Sequence, residues 1–143
     1  MSLEEVVLRP PGPGEVQVSV GAVAICHSDL GYLDGLWHSQ RPAVYGHEAC
    51  GRVVALGEGV MGFSVGDQVV VTMMRSCCQC RQCILGKPFL CSARHDLCDG
   101  VLSLPDGTVV EQGLDTGAFA EGVTVHASQI AKVPGDLPVE LGA

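Results

Sequence analysis

A mostly β fold with short helices is what this sequence predicts, and three observations carry that reading. Nineteen glycines and eight prolines are spread over all 143 residues without a period, which marks many turns. Short runs rich in valine and alanine recur between those turns. Hydrophobic residues make up 47% of the chain and charged ones only 17%, so a core is easily buried and a disordered, tail-like chain is excluded. The length suits one domain, residues 1–143, and is too short for two full ones.

Taken in order, the elements read as strand, turn, strand. Residues 16–25 run through valine and alanine to Cys26, as a buried strand does. A short helix is expected over residues 27–33, with Ser28 or Asp29 as its capping group. Residues 34–45 hold Gly35 and Pro42 and read as a loop carrying Trp37, the only tryptophan. Residues 49–56 and 69–73 are further strands, separated by the turn-rich stretch 57–66. Within that stretch Gly57-Glu58-Gly59-Val60-Met61-Gly62 literally matches G-x-G-x-x-G. A dinucleotide fingerprint has to lie between a strand and a helix, whereas Gly66-Asp67 and a new strand follow here, so this is a turn. Pro105-Asp106-Gly107, between two apolar runs, predicts a hairpin over residues 101–110. Residues 119–125 and 130–133 supply the last strands.

The charge balance narrows the function classes. A net charge of −8 argues against nucleic acid and against an anionic membrane surface, since both demand clustered Lys and Arg. No apolar run approaches the roughly 18 residues of a membrane span. The opening Ser2-Leu3-Glu4-Glu5 is acidic and has no hydrophobic signal segment, so a cytoplasmic location is expected. Eight cysteines then have to be explained in a reducing compartment, where metals are the usual reason for cysteine clusters.

Cys77, Cys80, Cys83 and Cys91 form the pattern C-x2-C-x2-C-x7-C. Two intervening residues let successive thiolates turn onto one ion, and the seven-residue return closes a tetrahedron that suits zinc at about 2.3 Å per sulfur. Four protein ligands leave no position for substrate, so this zinc is expected to be structural, in a lobe at about residues 77–91, which lacks periodicity and has too few apolar residues to pack itself. Cys78 breaks the register and reads as a bystander. Cys50 and Cys98 read as buried or ordinary free thiols.

A second group is weaker piece by piece. Cys26-His27-Ser28-Asp29 and Gly46-His47-Glu48 each have ordinary explanations, a core thiol and a capped turn. Together with the four-cysteine lobe they gain meaning. The stretch Gly46-His47-Glu48-Ala49-Cys50-Gly51, followed by Gly57 and Val60, resembles the zinc signature of the medium-chain, zinc-dependent alcohol dehydrogenases. Gly66-Asp67 with Val69, and Gly117-Ala118-Phe119-Ala120-Glu121, are similar to that family as well, and the resemblance covers roughly residues 6–141.

What the resemblance implies is a GroES-like barrel, the catalytic domain of an NAD(P)-dependent alcohol or aldehyde oxidoreductase that works by zinc-alkoxide hydride transfer. Its catalytic zinc would take Cys26 and His47 as ligands, and a third, a cysteine, is expected just beyond a segment like residues 137–141. A Rossmann domain holding most of the NAD or NADP site would follow, and neither lies within these residues. Ser28 resembles the hydroxyl that bonds to the alcohol and starts the proton's exit. Asp29 would orient His47 through its other ring nitrogen. Glu48 is expected near the metal, assisting ligand exchange. His27 resembles a basic residue that touches the cofactor's pyrophosphate, and reads equally well as an ordinary exposed histidine. Family members with a longer proton relay have a histidine where this sequence has Leu30-Gly31, so the relay is expected to end at Ser28, the ribose or water. Trp37 either lines the substrate pocket or simply packs. Residues 102–117, with the Pro-Asp-Gly-Thr turn, look like the branch that includes thiol-linked formaldehyde dehydrogenases. A small-molecule alcohol or aldehyde is the expected partner, and a homo-oligomer the expected full-length assembly. The competing reading is a free-standing zinc-binding domain without activity.

Overall fold

The computed structural model describes residues 2–37, 42–94 and 100–143. Its longest strand, β2 (Glu15–Ala24), follows a two-residue β1 (Val7–Leu8) that the sequence reading passed over. Next come helix α1 (His27–Leu33), β3 (Ala43–Val44), β4 (Glu48–Leu56) and β5 (Gln68–Val71). The cysteine stretch supplies a one-turn helix α2 (Arg81–Ile84) and a 3-10 turn, Pro88–Leu90. Four more strands follow, β6 (Leu102–Ser103), β7 (Val109–Gln112), β8 (Gly122–His126) and β9 (Ile130–Lys132), then α3 (Val139–Gly142).

Two sheets result. One runs β8-β2-β4-β5-β9 with antiparallel neighbours throughout, and the other runs β1-β6-β7-β3. The predicted hairpin over 101–110 is present as β6 against β7. The loop expected over 34–45 is not wholly a loop, because Ala43–Val44 pairs in parallel with Glu111 and Gln112. Residues 38–41 of it lie outside the described residues, as does Cys98. The strand expected over 119–125 begins later, at Gly122, because the N–H groups of Ala118 and Phe119 donate to the Gly46 and Tyr45 carbonyls instead of joining a ladder.

Valine fills the core. Val16, Val18, Val53, Val69, Val71, Val123 and Val125 pack with Ala49, Ala118 and Ile130 into one cluster built on the five-stranded sheet. Branching at Cβ suits these side chains to a pleated surface, and each fully buried valine is worth about 1.5–3 kcal/mol. Backbone approach at Gly51 is close enough to demand glycine. A Cβ on Gly51 would come within 2.1 Å of the Ser19 carbonyl oxygen on the paired strand. Nearby, Gly21 is the extra residue where the β2–β4 register shifts between Val20 and Ala22, and the Val139 side chain of α3 fills the space above it. This bulge bends β2 on its way to the site.

Candidate metal centre and cleft

Register explains why residues far apart in sequence meet. Ala24, the last residue of β2, pairs with Glu48, the first of β4, so Cys26 and His47 emerge side by side from one sheet edge. Val71, the last residue of β5, pairs with Ala49, so Thr72, Met73 and Met74 leave from the same edge. Behind it, the Ala118 N–H donates to the Gly46 carbonyl at 2.8 Å and the Phe119 N–H to the Tyr45 carbonyl at 2.7 Å. The Gly-Ala-Phe loop thus braces the Gly-His-Glu turn. Gly46 sits at φ +90, and a Cβ there would lie 2.7 Å from the Phe119 nitrogen.

The Cys26 thiol, a His47 ring nitrogen and a Glu48 carboxylate oxygen lie within 4.8 Å of one another, a spacing that one ion can span. His47 is buried and Glu48 exposed. Asp29, only 3% exposed, touches both of the expected ligand residues. Its Oδ2 accepts from the Cys26 N–H at 2.9 Å, and its Oδ1 faces His47 Nδ1 at 3.5 Å. Neither Oδ1 nor Nδ1 has another hydrogen-bond partner, so the tautomer that fits carries its proton on Nδ1 and leaves the Nε2 lone pair free. Ser28 Oγ stands 3.3 Å from Nε2. The capping expectation is thereby amended. Cys26 is the N-cap of α1, and Asp29 caps from three residues inside the helix.

The four lobe cysteines also gather their sulfurs within 4.8 Å of one another. Cys80 and Cys83 are 3.5 Å apart, and Cys77 and Cys83 are 4.0 Å apart. The backbone N–H groups of Cys83 and Ser92 bring the Cys80 thiol down to about 5, whereas burial and then the neighbouring sulfurs push Cys83 up to about 12. Four thiols in one cage cannot all ionise alone, and a divalent cation resolves that conflict. Cys78 stays out of the cage, exposed and at φ +58. Cys50 is fully buried, with its thiol pushed up by burial.

An open cleft of about 570 Å³ lies over the first site, lined by Cys26, Ser28 and His47 and walled by Trp37, Met73, Met74 and Leu114. Trp37 both packs and lines. Its ring stacks edge-on to Tyr32 and covers Gly31, where an added Cβ would sit 3.0 Å from the indole. Sequence alone did not mark Thr72, Met73, Met74 or Leu114 as lining residues, and Met73, expected to end a strand, lies beyond β5. His27 is exposed at the start of α1 and is not among the residues that line the cleft.

A family model for the alcohol dehydrogenase GroES-like domain matches residues 12–135. The chain belongs to that family. Among relatives, the NDMA-dependent alcohol dehydrogenase of Amycolatopsis methanolica is 35% identical over 96% of this chain and 39% of its own length. Alcohol dehydrogenase-like 6 of Arabidopsis thaliana is 42% identical over 92% of this chain and 36% of its own. Among solved structures, an alcohol dehydrogenase zinc-binding domain protein from Burkholderia ambifaria superposes with a TM-score of 0.87 at 32% identity, covering 98% of this chain and 40% of that one. Benzyl alcohol dehydrogenase from Acinetobacter calcoaceticus gives 0.79 at 32% identity, over 96% and 38%. The domain therefore spans about two fifths of the length of the proteins it matches. No helix among its described residues is long and apolar enough to cross a membrane.

Proposed function

We propose that this domain is the zinc-binding catalytic part of an NAD(P)-dependent alcohol or aldehyde oxidoreductase. The observation that carries the proposal is the meeting of Cys26, His47, Glu48 and Ser28 at the base of an apolar-walled cleft. Zinc held there by Cys26 and His47, with Glu48 alongside and the further cysteine expected beyond residue 141, would supply a Lewis acid for the substrate oxygen.

The chain's own residues account for the rest. Ser28 Oγ accepts the proton of the alcohol hydroxyl and passes its own on to ribose or water. A nicotinamide bound outside these residues would accept the hydride that the alcohol carbon gives up as it becomes a carbonyl. Asp29 keeps His47 in the tautomer whose Nε2 faces the cleft, and through the Cys26 N–H it ties the other ligand residue to the same carboxylate. Cys77, Cys80, Cys83 and Cys91 would hold a second, structural zinc. The nicotinamide has to lie about 3–3.5 Å from the reacting carbon, which calls for a dinucleotide site outside these 143 residues.

The test is nicotinamide reduction with a panel of primary alcohols, in a protein extended past residue 143 and in the 143-residue chain. Turnover is expected only in the extended protein. Ser28→Ala should slow it by about 10²–10⁴-fold, the usual contribution of a general acid–base group, while Cys50→Ala should not. Equal rates in the two variants would reduce Ser28 to a residue of the first helical turn. A zinc-loaded extended protein inert to every alcohol would favour a zinc-binding domain without activity.

A further inference from the structure

Leu114 and Asp115 are consecutive residues in the left-handed backbone region, at φ +53 and +59. Residues with a side chain visit that region rarely, leucine more rarely than aspartate, and such a pair persists only where its surroundings over-determine it. Here the surroundings are polar and, at Arg75 and Gln129, buried. Asp115 receives two hydrogen bonds on its carbonyl oxygen, from Arg75 Nη2 at 2.6 Å and from Gln129 Nε2 at 2.9 Å. Its carboxylate faces Arg75 Nη1 at 3.9 Å and Arg94 Nη2 at 3.7 Å. Arg75 Nε donates to Gln129 Oε1 at 2.8 Å, and Gln129 Nε2 also donates to the Thr72 carbonyl at 3.0 Å. Arg75 is 6% exposed and Gln129 not at all.

The cluster joins two segments that line the cleft. Thr72, Met73 and Met74 directly precede Arg75, and Leu114 directly precedes Asp115. We propose that Asp115, gripped by Arg75, Gln129 and Arg94, is a positioning residue that fixes Leu114 in the cleft wall and so sets how broad an alcohol the cleft admits. The inference rests on the oxidoreductase reading above. A buried guanidinium makes such a grip specific, because its planar fork reaches a carbonyl and a carboxylate at once. If the grip is released, the strained pair relaxes, the leucine leaves the wall and the cleft widens.

The competing role is purely structural. Arg75 and Arg94 lie just before Cys77 and just after Cys91, so the cluster could do no more than anchor the lobe. The experiment measures kcat/KM for butan-1-ol and for cyclohexylmethanol in the full-length protein, with zinc content recorded for each variant. Leu114→Ala should shift the ratio toward the bulky alcohol by about tenfold, the lower range for a few methylenes in a pocket. Arg75→Met should shift it the same way by several-fold with zinc content unchanged, Arg75→Lys should recover part of the shift, and the isosteric Gln129→Glu, which replaces the Nε2 donor to the Asp115 carbonyl with an acceptor, covers the case in which Arg75→Met does not fold. A ratio unmoved in Arg75→Met or Gln129→Glu, or an equal loss on both alcohols together with lost zinc, would overturn the proposal. Backbone chemical shifts of Leu114 and Asp115 report the left-handed pair without any turnover. Their persistence in Arg75→Met overturns the grip by itself, whereas wild-type inactivity on both alcohols counts against the oxidoreductase reading.

Discussion

Asp29 and Gly51 show how much single positions decide here. Asp29 spends one oxygen on the helix start at Cys26 and turns the other to His47, so the cap and the ligand orientation are one interaction. Gly51 has no such chemistry and matters through space alone. The added methyl of Gly51→Ala would meet the Ser19 carbonyl oxygen at 2.1 Å, and that atom belongs to a strand already fixed on both sides by β4 and β8. Overpacking against movable side chains costs about 1–3 kcal/mol, and backbone cannot yield as they do. Gly51→Ala should therefore lower the thermal midpoint by several degrees or prevent folding, whereas Gly59→Ala, with nothing within 4 Å, should cost only the strain of its positive φ. Thermal melts of the two variants check this, and equal midpoints would contradict it.

Among the elements, the cysteine lobe and the turn after β8 respond to different solution conditions. The lobe has no buried side chains in α2 or in its 3-10 turn, so its order depends on the sulfur cage. Cys83→Ser should make residues 77–91 protease-sensitive while the sheets survive, because a closed site forfeits much of a binding energy that reaches about 10–16 kcal/mol in zinc-finger peptides. Limited proteolysis with fragment mapping reads this out. At the end of β8, His126 is held below the ordinary histidine value by burial first and by the charge of Arg75 second. Its Nδ1 accepts from the Ser128 N–H at 3.2 Å, a bond only the unprotonated nitrogen can make. The unfolded chain then binds more protons than the folded one in the range below about pH 6.5, so stability rises with pH across that window. The histidine imposes no penalty above it, and the full penalty appears only beneath its folded value. Asp67 and Asp106, held low chiefly by Lys132 and by the Thr108 N–H, weaken the fold only at more acidic pH. Urea midpoints between pH 5 and 7 should fall on acidification, and His126→Gln should flatten that fall.

At the scale of the whole molecule, the two candidate metal sites differ in completeness. Four thiols gather in one lobe, while the cleft site offers one thiol, one imidazole and an exposed carboxylate. Mild chelation of the 143-residue chain should strip the cleft site first and leave close to one zinc per chain by elemental analysis. Two zincs of equal tenacity, or none, would overturn that ranking. The gathering of the four lobe cysteines was legible in the sequence because they are local, and spacing along the chain is geometry when the loop is short. The Cys26 and Gly46-His47-Glu48 motifs were legible only as a resemblance, since nothing in their separation puts them together. That was decided by the Ala24–Glu48 pairing in the β2–β4 ladder, bulge included. The turn at residues 57–62 could be dismissed as a cofactor loop from order alone. The cleft walls could not be read at all. Met74 and Leu114 meet there through Arg75, Gln129 and Asp115, whose bonds span 40 and 54 residues with no periodicity to announce them. By itself the sequence determined the longer strands, the first helix, their valine-rich make-up and the clustering of the lobe cysteines, because those follow from neighbours along the chain. The tertiary structure alone decided which strand ends share an edge and which side chains face the cleft, because those depend on register and on buried polar contacts between distant segments.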